Sequence, residues 1–245
     1  MANDPGWDRR WPVTLLTRPY HDFMAGFEAS LDRGTSGLVA VLGGLLVGWW
    51  VYVPIHELFH AWACLALGGT VETLEIAPHY GGTLLAQVIP FVEAGGEYAG
   101  RLSGFDTGGC DGVYLGTVFG PYLLTLFPGI WALLTLGRRA AGSLAAAIGF
   151  GAAMPAALAP FISLTGDAYE MGSILVTRLP PWVERSTLLR GDDLFLVAKG
   201  VSEAGGATGA WIGLVLAAIL GLVWAFLTYA CGGWLADRLM PRGDS

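Results

Sequence analysis

The stretch of sequence that decides the fold is a long apolar run at residues 34–71, which reads GTSGLVAVLGGLLVGWWVYVPIHELFHAWACLALGGTV. Glu57 is the only Asp, Glu, Lys or Arg in this run, and His56 and His60 lie on either side of it. A helix that crosses a bilayer needs roughly 20 apolar residues, which rise about 1.5 Å each. The run therefore predicts a membrane-spanning helix with three ionisable side chains inside it.

Three later stretches also lack Asp, Glu, Lys and Arg over lengths that suit a membrane crossing, residues 112–137, 140–166 and 204–236. With a first crossing over about 34–69, the sequence predicts an all-α integral membrane protein. We expect a four-span helical bundle with multiple passes through a cell's inner or plasma membrane. The composition agrees, because 54% of the residues are hydrophobic and only 13% are charged, whereas soluble domains are about a quarter charged.

The segments outside the predicted spans differ in character. Residues 71–92 begin with the alternating pattern VETLEI, which is typical of a strand, and we interpret the segment as a small membrane-associated β hairpin. Residues 167–203 mix acidic and basic side chains with prolines, which predicts a polar loop. The predicted division of the chain is an N-terminal interfacial segment at 1–33, a membrane domain at 34–236 and a C-terminal tail at 237–245.

Charge and cysteine content restrict the class of partner. The net charge is −7, and the 13 basic residues are scattered without the basic stripe that a phosphate backbone requires, so we expect the lipid bilayer and not nucleic acid as a partner. The three cysteines, Cys64, Cys110 and Cys231, are odd in number, and two of them lie in apolar runs. This pattern argues against a disulfide framework.

The pattern HELFH at residues 56–60 carries metal-binding chemistry. His56 and His60 are four residues apart, so on a helix both imidazoles project from one face, where one Zn²⁺ can accept both at about 2.0–2.1 Å. Glu57 turns toward the neighbouring face, where it can accept a proton from water on the metal. Because ionisable side chains at bilayer depth are costly and usually mark function, we expect a zinc cofactor, His56 and His60 as ligands and Glu57 as the catalytic residue.

A catalytic zinc ion needs a third protein ligand and one open position. The candidates that we consider outside the motif are His21, His79, Asp167 and Glu170. We predict Asp167, because it closes an apolar run and helix geometry can hold it against the first span. Glu170 is the reserve ligand, since it follows three residues later and would share a helix face with Asp167.

Three segments of the chain together resemble one known protein family. They are VPIHELFHAWA at 53–63 with LGGTVE at 67–72, FGPYLL at 119–124, and LTGD at 164–167 with MGSIL at 171–175. In these segments the chain resembles the site-2 protease family of intramembrane zinc metalloproteases. The resemblance covers roughly residues 37–176. The chain looks like a divergent member, because Leu124 stands where the family usually has asparagine and Ala168 stands where glycine normally follows the aspartate.

The resemblance implies a function for the site. By position, His56, His60 and Asp167 would bind zinc, and Glu57 would activate the water that hydrolyses a peptide bond. The substrate would be a membrane-embedded or membrane-adjacent polypeptide. The segment 71–92 would correspond to the family's membrane-embedded β element, which helps to present the substrate as an extended strand by backbone pairing.

Two alternative functions fit the same residues. The first is another type of membrane zinc peptidase, in which Glu170 completes the zinc site in place of Asp167. The second is a non-catalytic membrane scaffold or transporter that retains the motif as structure, since charges do occur along transport pathways. Four spans without inverted halves are a poor match to a transporter.

The orientation in the membrane is open at this stage, because two arguments disagree. Arginines lie before the first predicted span, between the second and third spans, and after the fourth. Because basic residues prefer the cytoplasmic side, they favour placing these segments inside the cell. The resemblance instead places the zinc helix's C-terminal end and the hairpin toward the cytosol.

Overall fold

The structure is a computed structural model that describes residues 11–96 and 98–239. The first ten residues of the predicted interfacial segment and residues 240–245 of the predicted tail lie outside the described residues. The α-helices are α1 Trp11–Leu31, α2 Thr35–Ala66, α3 Gly82–Leu85, α4 Asp111–Phe119, α5 Tyr122–Leu124, α6 Ile130–Gly137, α7 Leu144–Ala157, α8 Ala159–Ile162, α9 Asp167–Val176, α10 Ser186–Leu189, α11 Leu194–Glu203 and α12 Thr208–Leu239. The strands are β1 Thr70–Ile76, β2 Val92–Ala94 and β3 Gly100–Asp106.

Two helices in the described ranges, α2 and α12, are each long and apolar enough to cross a membrane. Each has 32 residues, which corresponds to about 48 Å of helix. A third crossing is possible if α4 to α6 count as one broken span, which is bent by 48°. The interval 140–166 contains α7, which has 14 residues, followed by the short α8. The number of four crossings therefore stays a prediction, and membrane association is what the helices support.

The break between α4 and α6 has a local cause. Gly120 and Pro121 separate α4 from α5, and Pro128 lies in the π-helical turn Thr125–Gly129. Proline cannot donate a backbone hydrogen bond and clashes with the preceding turn. Phe127, directly before Pro128, accordingly has an extended backbone with φ −162° and ψ 131°.

The β structure is a three-stranded sheet and not the predicted hairpin over 71–92. The strand order is β2-β1-β3, with β2 parallel and β3 antiparallel to β1. The first strand lies where the alternating pattern predicts it. Most of the second predicted strand is instead a turn and the short helix α3, because a short apolar run has no periodicity that separates a strand from a helix. The antiparallel partner of β1 is β3, in the glycine-rich segment that follows.

The interval predicted as a polar loop, residues 167–203, contains three α-helices. They are α9, α10 and α11, and a 3-10 turn at Val183–Arg185 precedes α10. Asp193 begins α11 as a helix cap, since its carboxylate accepts from the backbone N–H groups of Phe195 and Leu196. The charged residues of this interval lie partly in these helices and partly between them, and composition alone does not separate such an arrangement from a loop.

Helix α1 brings together the ends of several other helices. Arg33, just after α1, donates a hydrogen bond to the carbonyl oxygen of Ala141, which precedes α7. Arg18 in α1 binds the carboxylate of Asp237 near the end of α12 at 2.8 Å. The start of α2, the link from α6 to α7 and the end of α12 thus all adjoin α1. We call this region the α1 end of the bundle.

Small residues allow α2 and α7 to approach each other closely. A Cβ atom on Gly44 would lie 2.0 Å from the carbonyl oxygen of Ile148, and one on Gly48 would lie 2.5 Å from that of Ala152. Close backbone approach through small residues four apart is typical of helix pairs in membranes. This contact holds the helix that carries the two histidines.

We predict that Gly44→Val destabilises the protein by about 1–3 kcal/mol, because the added side chain collides with the backbone of α7 and forces the helices apart. Thermal unfolding of the purified protein in detergent measures the effect. Gly43→Val is the matched control, since a Cβ atom at Gly43 meets nothing within 4 Å. Equal unfolding temperatures for the two variants would contradict the packing described above.

Candidate metal centre

The two motif histidines lie on one face of α2, as their spacing predicts. The Nε2 atoms of His56 and His60 are 3.2 Å apart, and the rings meet nearly edge to face. His60 is buried and His56 is largely buried. Both Nε2 atoms therefore point to the same small volume beside α2.

Asp167 reaches this volume from a different part of the chain. Its carboxylate oxygens lie 3.1 Å from His56 Nε2 and 3.5 Å from His60 Nε2. Asp167 is the first residue of α9, and α9 packs directly on α12. A Cβ atom on Gly221 of α12 would lie 2.3 Å from the carbonyl oxygen of Ala168, so only glycine permits this approach. The fit of α9 on α12 thus sets the position of Asp167.

The separations of the three side chains fit a metal ion. Ligands held at about 2.0–2.1 Å in tetrahedral geometry are about 3.3 Å from one another, close to the observed 3.1, 3.2 and 3.5 Å. Oδ2 of Asp167 is buried, and within the described parts of the chain it has no hydrogen-bond partner, although it lies next to His56. A buried polar atom without a partner is costly unless something else satisfies it. His56, His60 and Asp167 therefore form a group that could hold a metal ion.

The second nitrogen of each imidazole has its own partner. His60 Nδ1 lies 2.8 Å from the carbonyl oxygen of Thr117 in α4, which can only accept, so Nδ1 carries the proton. His56 Nδ1 lies 2.6 Å from the hydroxyl of Tyr52, one turn earlier in α2. Both partners fix the ring orientation. The Thr117 carbonyl leaves His60 Nε2 free as a metal ligand, and Tyr52 does the same for His56 when its hydroxyl accepts from Nδ1–H.

Glu57 lines a cavity of about 580 Å³ together with His60 and Asp167. Strand β3 forms another part of the wall, and its first residue, Gly100, lies against Glu57. A Cβ atom on Gly100 would be 2.4 Å from Glu57 Cγ, so a larger residue there would displace the carboxylate. The Arg101–Asp192 ion pair, at 3.0 Å, joins β3 to the loop before α11 at the exposed side of this cavity.

The other sequence candidates for a third ligand do not belong to the group. Glu170 is buried and lines the same cavity, but its carboxylate accepts a hydrogen bond from the hydroxyl of Tyr114. His21 is in α1, and His79 is in the turn after β1. Among the described residues, the group within reach of one ion contains Asp167 and none of these three.

Several residues around the site escaped the sequence reasoning. Tyr52 was detectable, because it lies four residues before His56 and so shares its helix face. Tyr114 and Arg101 gave no signal, since both contacts join segments that are distant in sequence. The Thr117 contact uses a backbone carbonyl, which every residue has, so no side-chain pattern marks it.

We predict that Asp167→Ala loses bound zinc. Removing a side chain that only hydrogen-bonds to a zinc ligand lowers zinc affinity by about 10–100-fold, and removing a ligand itself lowers it further. Elemental analysis of purified protein loaded with Zn²⁺ gives the stoichiometry. Glu170→Gln is the control and keeps one zinc ion per chain. The opposite result, with zinc retained in Asp167→Ala and lost in Glu170→Gln, would make Glu170 the ligand.

The arrangement as a whole has the parts that metal-assisted chemistry needs. Three convergent metal-capable side chains adjoin a cavity, and a carboxylate from Glu57 lines the same cavity without belonging to the group. The helices around it include the two that are long and apolar enough to cross a membrane. No model of a known protein family, no curated protein and no solved structure matches this chain.

Proposed function

We propose that this protein is a membrane zinc metalloendopeptidase that hydrolyses peptide bonds of membrane-embedded or membrane-adjacent polypeptides. The observation that carries the proposal is the convergence of His56, His60 and Asp167 beside Glu57 at one cavity. Buried histidine and carboxylate side chains among apolar helices are costly unless they act together. The resemblance of the three sequence segments to the site-2 protease family supports the same activity.

Zinc is the metal we propose for this site. Two imidazoles and one carboxylate are a common ligand set of catalytic zinc, and they leave one position open for water or substrate. Zinc bound there would lower the pKa of water toward about 7 and would polarise the carbonyl of the bond to be cleaved. His56, His60 and Asp167 would hold the ion, with Tyr52 and the Thr117 carbonyl orienting the two imidazoles.

Glu57 is the residue that we propose moves the proton. Its carboxylate would accept one proton from the attacking water, whose oxygen forms a bond to the peptide carbonyl carbon. Glu57 would then deliver that proton to the leaving nitrogen as the carbon–nitrogen bond breaks, so that a carboxylic acid and an amine result. The contact between Gly100 and Glu57 supports this role, because it restrains the carboxylate at the cavity wall.

Strand β3 is the element that we propose receives the substrate. It is an edge strand of the sheet, and its residues 100–103 and Phe105 line the cavity. An edge strand offers backbone N–H and C=O groups to an extended peptide. A polypeptide paired with β3 would be unwound and would pass beside Glu57. In our proposal this function belongs to β3, and not to the segment 71–92 to which the resemblance assigns it.

We further propose four crossings, with the α1 end of the bundle in the cytoplasm. Arg33 adjoins the start of α2, and Arg18 binds Asp237 near the end of α12. The first crossing helix begins and the last one ends at the same end of the bundle, which supports an even number of crossings. The four crossings would be α2, the broken span α4 to α6, α7 with α8, and α12. Arg138 and Arg139 lie at this end too, and the positive-inside rule favours it in the cytoplasm. The sheet and the cavity would then face the opposite side.

We predict that Glu57→Gln keeps zinc and lowers peptide hydrolysis by about 10²–10⁴-fold, because the amide cannot accept the proton. Cleavage of dye-labelled membrane-spanning model peptides by the purified protein in detergent measures the rate, and elemental analysis measures the metal. Glu93→Gln is the matched control, since Glu93 is exposed on β2 and is not part of the cavity wall.

Two results would count against the enzyme. Equal hydrolysis by Glu57→Gln and the unaltered protein would remove Glu57 from the reaction. Less than one zinc ion per chain in the unaltered protein, with no hydrolysis, would leave the non-catalytic scaffold as the better description. Neither result is expected from a site with this geometry.

We predict that Cys110 reacts with a membrane-impermeant maleimide in intact cells that carry Cys231→Ser. Cys110 is exposed just before α4, and hydrogen bonds from the backbone N–H groups of Val113 and Gly112 lower the pKa of its thiol, which favours the reactive thiolate. A cysteine at position 139, in a chain without Cys110 and Cys231, should react only after permeabilisation. Labelling of both positions from the same side would contradict the four crossings.

A further inference from the structure

The cavity beside the metal centre contains a buried carboxylate that the proposed reaction does not use. The acidic residues that line this cavity are Glu57, Asp167, Glu170, Asp192 and Asp193. Glu57 and Asp167 have roles in the reaction. Asp192 is paired with Arg101 at 3.0 Å, and Asp193 caps α11. Glu170 is the remaining acid of the wall.

Glu170 has no cationic partner in the described parts of the chain. Its side chain is 8% exposed, and none of the ion pairs found among residues 11–96 and 98–239 includes it. Two arginines beside the C-terminal end of α9 are already engaged, since Arg178 and Arg190 both bind Asp111. A carboxylate is rarely this deeply buried without a pairing charge, because losing hydration costs several kcal/mol. Burial raises the pKa of the Glu170 carboxyl to about 7, so a cation that entered the cavity would stabilise the ionised form.

The hydrogen bond to Glu170 favours its ionised form. The hydroxyl of Tyr114 donates to Oε1 of Glu170, and an ionised carboxylate is the stronger acceptor. Oε2 makes no hydrogen bond within the described residues, so it is available to a ligand in the cavity. Tyr114 also lines the cavity, so the pair forms one polar patch on its wall.

The position of Glu170 relates it to the bond that would be cleaved. Asp167 and Glu170 are three residues apart on α9, which puts their Cβ atoms about 5–6 Å apart on one helix face. An extended polypeptide advances about 3.3 Å per residue. A substrate held at the metal centre would therefore bring a side chain within one or two positions of the cleaved bond to Glu170.

We propose that Glu170 selects substrates with a lysine or arginine side chain within two residues of the cleaved bond. The cationic group would pair with Oε2 of Glu170, and Tyr114 would hold the carboxylate in place. This inference rests on the proposed function, because it names the substrate class of the same site. It assigns Glu170 to substrate recognition and leaves the metal to His56, His60 and Asp167.

The test uses dye-labelled, membrane-spanning model peptides that differ at one residue, which is lysine, norleucine or glutamate and is moved along the peptide. Binding is measured with Glu57→Gln protein, so that no cleavage is required. At one or two adjacent positions, lysine should bind about tenfold to a hundredfold tighter than norleucine, as a charge-assisted hydrogen bond supplies. Glutamate should bind more weakly than norleucine at the same positions.

The variants separate this role from a structural one. Adding Glu170→Gln should bring the lysine-to-norleucine affinity ratio close to one, while zinc content and unfolding temperature stay unchanged. Adding Tyr114→Phe should lower the ratio partly, and adding Glu93→Gln should leave it intact. The unaltered enzyme should show the same preference in cleavage.

Three outcomes would overturn the assignment. They are the absence of a lysine preference at every position, a preference that survives Glu170→Gln, and loss of zinc in Glu170→Gln. A lysine preference in binding without any cleavage would instead count against the peptidase and leave Glu170 as a cation-binding residue. The two proposals can therefore fail separately.

Discussion

Ionisable side chains among apolar helices must find a common partner, and the rest of the structure depends on this constraint. His56, His60 and Asp167 lie within 3.1–3.5 Å of one another, and no one of them would be well placed alone. Burial alone would cost several kcal/mol for the Asp167 carboxylate, whereas convergence with the two imidazoles allows one cation to offset the cost. Helix α4 packs against both α2 and α9, and this arrangement brings these atoms together.

Glycine contacts make that arrangement possible. Gly44 lets α2 approach α7, Gly221 lets α9 approach α12, and Gly100 lets the sheet approach Glu57. Each position has backbone or a functional side chain where a Cβ atom would be. Among apolar helices in a membrane, hydrophobic burial does not favour one helix pair over another, because lipid is as apolar as the side chains. Small residues then determine which helices can approach closely. The metal centre thus depends on residues that carry no chemistry of their own.

The sequence predicts the members of the group that could hold a metal better than it predicts their surroundings. The four-residue spacing places His56 and His60 on one face, and the end of an apolar run marks Asp167, because both signals are local. Strand β3 and the pair of Tyr114 with Glu170 were not predictable, since they depend on contacts between distant segments. The prediction of a second strand within 71–92 was wrong for a different reason, because a short apolar run fits a strand and a helix equally well.

The origin of the ligands in two distant segments links metal uptake to the assembly of the chain. The histidines belong to α2, whereas the aspartate begins α9, which is held in place by α12, the last helix described. Binding of an ion would therefore require that α12 has docked against α9. An ion that binds only the folded chain adds stability by mass action, about 4 kcal/mol at a thousand times its Kd. If the group holds an ion as we propose, starvation for metal would then shorten the lifetime of the folded protein.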